Sequence, residues 1–100
     1  DKLLAGMREL AEQYPCVGDV RGIGLFLGLE LVTDRETLEP ATDAAAHVMN
    51  RLRDMRILVG REGPADNILK IRPPLTVGAD DVEMILDRLR ICLREVEAAR

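Results

Sequence analysis

Ile68-Leu69-Lys70-Ile71-Arg72-Pro73-Pro74 alternates apolar and cationic side chains and then ends in two prolines. Successive side chains of an extended chain point to opposite faces, so Leu69 and Ile71 belong to one face and Lys70 and Arg72 to the other. The alternation predicts a half-buried strand, and the prolines, fixed in φ and lacking N–H donors, terminate it. Upstream, Ile57-Leu58-Val59-Gly60 reads as a partner strand across the turn-rich stretch from Arg61 to Asn67. A connection this short makes the pair an antiparallel hairpin. Downstream, Val82, Ile85, Leu86, Leu89, Cys92, Leu93 and Val96 recur at helical spacing. Thr76 or Gly78 is the expected cap, with Asp80 and Asp81 at the positive end of the helix dipole.

The first half of the chain follows the same logic. Leu3, Leu4, Met7, Leu10, Ala11 and Tyr14 form the apolar stripe of a helix that Pro15 ends. Val17 to Gly22 and Leu25 to Val32 read as a second hairpin, and the polar stretch Thr33 to Glu39 as a loop. A helix starts at Pro40 or Thr42 and buries Ala45, Val48, Met49, Leu52 and Met55. The order is α-β-β-α-β-β-α, without internal repeat or linker. Hairpins imply antiparallel pairing, and three amphipathic helices need one sheet face to bury their stripes. The predicted fold is therefore an α/β (α+β) two-layer sandwich, a largely antiparallel sheet with three helices, forming one domain over residues 1–100. The other sheet face is expected to be partly bare and hydrophobic, a place for a further domain to dock.

At 100 residues and 47% hydrophobic content the chain can build one core without disulfides. Tyr14 and Phe26 are its only aromatics, its formal net charge is -4 and its pI is near 5.0. Stacking on bases and attraction to a phosphate backbone both lack their means, so nucleic acid is not an expected partner. Cys16, Cys92 and His47 match no metal-ligand spacing, and no metal is expected. Cys92, on the stripe of the last helix, is expected to be a small buried hydrophobe. With no charged leader and no apolar run of membrane-spanning length, a soluble, cytoplasmic protein without membrane contact is the expectation. Asp1 falls inside a helical pattern, which suggests a longer parent chain.

Several residues could carry chemistry. Lys70 and Arg72 put two cations on one strand face beside a rigid turn, an arrangement suited to a carboxylate or phosphate. A solvated face whose long stems cover apolar surface has the same spacing, and both readings stay open. Gly22, Gly24 and Gly28 lack the helix start a phosphate loop needs and read as turn and bulge glycines. Glu30 has no second titrating group nearby in sequence and reads as structural. His47 reads as an exposed helix residue, and Arg51, Arg53, Arg56 and Arg61 as a solvated face.

Three segments together resemble the class III aminotransferases, which are fold-type-I pyridoxal-phosphate enzymes. They are Val20-Arg21-Gly22-Ile23-Gly24-Leu25 running into Gly28-Leu29-Glu30-Leu31-Val32, then Ile57-Leu58-Val59-Gly60, then Asn67-Ile68-Leu69-Lys70-Ile71-Arg72-Pro73-Pro74-Leu75. The resemblance covers essentially the whole chain and points to the C-terminal small domain of that family. The last segment is most similar to the branch of ethanolamine-phosphate phospho-lyase and the second alanine-glyoxylate aminotransferase type. The resemblance implies a homodimeric transferase whose pyridoxal phosphate is held by a lysine of a large domain in the same chain. No catalytic or cofactor-binding residue is then expected here, nor cofactor binding or turnover by this fragment alone. It also implies that Lys70 and Arg72 contact an anionic substrate, an amine or amino acid. In many members an arginine before the double proline binds the substrate carboxylate. It aligns with Lys70, so this chain departs from the pattern, and either Arg72 supplies the clamp or the substrate is anionic in another way.

The implied role is to bind the anionic substrate and close the active site for amino-group transfer to a 2-oxo acid or aldehyde. A phospho-lyase acting on a phosphorylated amine fits the same features. A stand-alone regulatory module binding a small molecule is the alternative from another class.

Overall fold

Local sequence sets each element, and long-range pairing orders them. The computed structural model describes residues 2–23, 26–72 and 79–99, with the backbone alone at 23 and 79. Helix α1 (Lys2–Gln13) buries Leu3, Met7 and Leu10 on one side. Strands β1 (Val17–Ile23) and β2 (Phe26–Asp34) form the first hairpin. A two-residue strand β3 (Glu39–Pro40) folds back on the end of β2. Helix α2 (Thr42–Asp54), strands β4 (Val59–Glu62) and β5 (Ile68–Ile71) and helix α3 (Ala79–Ala98) complete the chain. The expected order holds, with β3 added. The expected residues Gly24, Leu25, Pro73, Pro74, Thr76 and Gly78 lie outside the described residues.

The sheet runs β1-β2-β5-β4, all antiparallel, with β3 attached to β2. The second hairpin therefore docks its second strand, β5, against β2, at the centre of the sheet. Leu27, Leu29, Leu31, Val59, Leu69 and Ile71 bury on one face, where Ala45, Val48, Leu52, Leu89, Cys92 and Leu93 from the helices meet them. Each large side chain contributes about 1.5–3 kcal/mol by leaving water. These contacts join the two hairpins and three helices into one core.

The opposite face differs from expectation. Asp19, Arg21, Phe26, Gly28, Glu30, Gly60, Glu62, Ile68, Lys70 and Arg72 occupy the alternate positions, so the face is mainly charged rather than bare and hydrophobic. The large exposed apolar residues among the described ones, Leu38, Leu58 and Ile91, are scattered. Gly22 and Gly28 also depart from expectation: Gly22 pairs with Leu27 and Gly28 sits between Arg21 and Lys70, both in regular register, and the bulge lies between Val17 and Asp19. Glu30, on an inner strand, accepts a hydrogen bond from Arg21 at 3.3 Å and is the satisfied glutamate the sequence suggests.

Polar groups fasten the joints. The Arg35 Nη2 donates to the carbonyls of Ala11, Tyr14 and Val17 at 2.5, 3.0 and 3.2 Å, satisfying the carbonyl end of α1. Buried Asn67 donates from Nδ2 to the Leu31 carbonyl at 2.9 Å, and the Leu31 N–H donates to the Asn67 carbonyl at 2.9 Å. This reciprocal pair fixes where the second hairpin joins β2.

Between α2 and α3, Glu95 accepts hydrogen bonds from His47 at 2.9 Å and from Arg51 at 3.0 and 3.2 Å. His47 is therefore exposed but partnered, and Arg51 is not merely solvated. The bonds from Arg51 and His47 hold the Glu95 carboxyl below its usual range. A depressed folded pKa adds stability that is fully present above the unfolded carboxyl pKa, about 4.3, and is lost as pH falls through the folded value. Glu95→Gln is thus expected to lower the thermal midpoint at neutral pH, with the difference vanishing in strong acid. Midpoints measured from neutral to acid pH check the sign.

Cys92 is completely buried beneath this bridge, and burial raises its thiol pKa to about 11. Since the thiolate is the reactive form, iodoacetamide at pH 8 should leave Cys92 unmodified in the native protein and alkylate it after unfolding. Mass spectrometry of the two samples reads this directly. Native alkylation would show that α2 and α3 separate readily.

Candidate anion-binding site

Lys70 reaches the open face because its neighbours Leu69 and Ile71 are drawn into the core. Arg72, one residue past β5, keeps the same orientation: its backbone N–H donates to the Leu58 carbonyl at 3.1 Å and so extends the pairing of β4 with β5. The structure thus brings the two sequence-predicted site residues to one place. It also adds groups that the spacing did not indicate. The Lys70 Nζ lies 4.2 Å from the centre of the Phe26 ring and the Arg72 guanidinium carbon 5.7 Å from it. Both are within reach of a cation–π attraction. Phe26 therefore acts as a common rest for the two cations.

Their charges are not equally available. The Lys70 Nζ is 2.9 Å from Glu62 Oε1, so its charge is partly offset. Arg72 is exposed and forms no ion pair among the described residues. Phe26, Gly60, Arg61, Glu62, Lys70 and Arg72, with Leu58 and Val59 beside them, line a shallow depression of about 300 Å³ on this face. The planar guanidinium could grip two oxygens of an anion there, with the ammonium as a second point of positive charge.

The described residues do not fit a pyridoxal-phosphate site. Such a site needs a lysine amine for the cofactor and a partner for its pyridine nitrogen. Lys2 and Lys70 are the chain's only lysines. Lys2 is exposed at the start of α1, whereas Lys70 is paired with Glu62 above a depression that, among the described residues, is lined by neither hydroxyl side chains nor a helix N-terminus. Among the described residues no cluster of His, Cys, Asp or Glu could hold a metal ion, and no helix is long and apolar enough to cross a membrane.

The family model of class-III aminotransferases matches residues 1–93. The chain is 41% identical over 101 residues to an alanine–glyoxylate aminotransferase 2-like protein of Drosophila melanogaster, covering 100% of this chain and 20% of that protein. It is 42% identical over 83 residues to ethanolamine-phosphate phospho-lyase homolog 1 of Caenorhabditis elegans, covering 82% and 18% respectively. Among solved structures, a phospholyase from Arthrobacter in complex with phosphoethanolamine superposes with a TM-score of 0.81 at 32% identity, covering 92% of this chain and 22% of that one. The chain spans about a fifth of the length of these relatives. A match over nearly the whole chain, in sequence and in fold, shows that it belongs to the class III aminotransferase family.

Proposed function

We propose that this chain is the C-terminal small domain of a pyridoxal-phosphate-dependent class III enzyme, in which it receives the anionic end of an amine substrate and helps close the active site. The observation that carries this reading is the convergence of Lys70 and Arg72 over Phe26, beside an open depression, on the face the helices leave free. The cofactor and its lysine belong to a large domain of the same enzyme, because the residues described here do not fit them. The cofactor supplies an electron sink for bonds at the amine carbon, and this chain supplies binding and orientation. The enzyme acts in the cytoplasm as a homodimer.

Amino-group transfer to a 2-oxo acid or aldehyde is one reaction class this site could serve. Elimination of phosphate from a phosphorylated amine is the second, favoured by the phospho-lyase relatives and by a binding group that offers two cations instead of one arginine clamp. The test is steady-state kinetics of the full-length enzyme with Lys70→Ala and with Arg72→Ala. Loss of kcat/KM toward anion-bearing amines, with the fold retained, supports the reading. Unchanged efficiency in both variants would mean that the pair is only a solvated strand face.

A further inference from the structure

Gly60 is a glycine that the backbone does not require. Its φ is outside the left-handed region, and a Cβ built on it meets nothing within 4 Å. Glycine inside a strand sacrifices side-chain packing and conformational entropy, and a β-branched residue would ordinarily stabilise this position. The fold therefore gives no reason for the missing side chain. The site does, because Gly60 lies directly opposite Lys70 in the β4–β5 ladder and lines the depression together with Arg72 and Glu62. A side chain at an opposed position stands about 4.5–5.5 Å from its partner's Cβ, Cβ to Cβ, so any substituent at 60 would rise beside the Lys70 stem and fill the hollow.

We propose that Gly60 is the specificity-determining position of the anion site, leaving room between Lys70 and Arg72 for a tetrahedral phosphate group rather than only a planar carboxylate. This rests on the reading that Lys70 and Arg72 hold the anion. A carboxylate can be satisfied by the Arg72 fork alone and needs little of the hollow. A phosphate monoester has three terminal oxygens directed apart, so it can meet the fork and the ammonium together only if the space over residue 60 is empty. Glu62 limits the positive charge, which makes space as well as charge a determinant.

The experiment uses the full-length holoenzyme with inorganic phosphate and acetate as dead-end inhibitors, comparing wild type, Gly60→Ala, Gly60→Val and Arg72→Ala. Phosphate inhibition is expected to weaken in the order wild type, Gly60→Ala, Gly60→Val, by about tenfold or more at valine, the scale of a misfitted substituent in a binding pocket. Acetate inhibition should change much less, and the unfolding midpoint of the Gly60 variants should be held or raised. Equal weakening of acetate and phosphate, or no weakening in a well-folded Gly60→Val, overturns the role of Gly60. If Arg72→Ala weakens phosphate while Gly60→Val does not, only the size limit fails. If phosphate inhibition of the wild type is absent or indifferent to Arg72→Ala, the anion site fails and this inference with it.

Discussion

Leu69→Ala is expected to destabilise the domain by about 2–5 kcal/mol, the range for truncating a fully buried leucine. Leu69 has no exposed surface and stands on β5, between β2 and β4, so the cavity opens at the centre of the sheet rather than at an edge that could relax. For a domain of this size each kcal/mol moves the thermal midpoint by about 4–8 °C, and the loss is a large part of the roughly 5–15 kcal/mol a domain possesses. Lys70→Ala, one residue on, should cost far less. Its ion pair with Glu62 is solvent-accessible, and pairs of that kind contribute about 0.2–1 kcal/mol. Urea unfolding of the two variants checks the contrast. Equal destabilisation would mean that the two faces of β5 are not divided between core and site.

That division was legible because it is local. In Ile68-Leu69-Lys70-Ile71-Arg72 a period of two is written into consecutive residues, and burial follows it. The helices were legible for the same reason, their stripes repeating over several turns. What the sequence did not reveal depends on pairing. β4 runs from Val59 to Glu62 instead of 57–60, because Ile57 is buried at the approach to the sheet while Gly60-Arg61-Glu62 is held extended by its register with β5. That stretch has no apolar alternation of its own, so tertiary pairing decides its conformation. β3 is too short to show a period. The docking of β5 against β2 joins segments far apart in sequence and leaves no local mark.

The charged open face has a similar explanation. Leu25 to Val32 is nearly all apolar in sequence, but Gly28 has no side chain and Phe26 is covered by the two cations of β5 and its extension, so β2 adds little bare apolar surface there. Glu62 and Phe26 could not be assigned to the site from spacing, because the β4–β5 and β2–β5 registers bring them to Lys70 and Arg72. Arg51 and His47 likewise acquire their role only when α3 places Glu95 between them. In each case residue type was visible and partner was not.

Arg72→Ala is expected to lower the full-length enzyme's kcat/KM for an anion-bearing amine by about ten- to a hundredfold, the value of a charge-assisted hydrogen bond of about 1.5–3 kcal/mol. The loss should appear mainly in KM if the anion is held equally in the ground and transition states. Lys70→Ala should have a smaller effect because Glu62 already engages the ammonium at 2.9 Å, whereas Arg72 has no ion-pair partner among the described residues. The ratio also reports the anion. A planar carboxylate uses the Arg72 fork and leaves Lys70 nearly dispensable, while a phosphate draws on both. Glu62→Gln provides the opposite sign: releasing Lys70 from its carboxylate should tighten anion binding, and this gain should disappear when Lys70 is also replaced. A double-mutant cycle over Glu62 and Lys70, read as KM for ethanolamine phosphate and for L-alanine, measures that coupling. An unchanged KM in Glu62→Gln, with Lys70→Ala as harmful as Arg72→Ala, would show that the ion pair does not restrain Lys70 in the working enzyme.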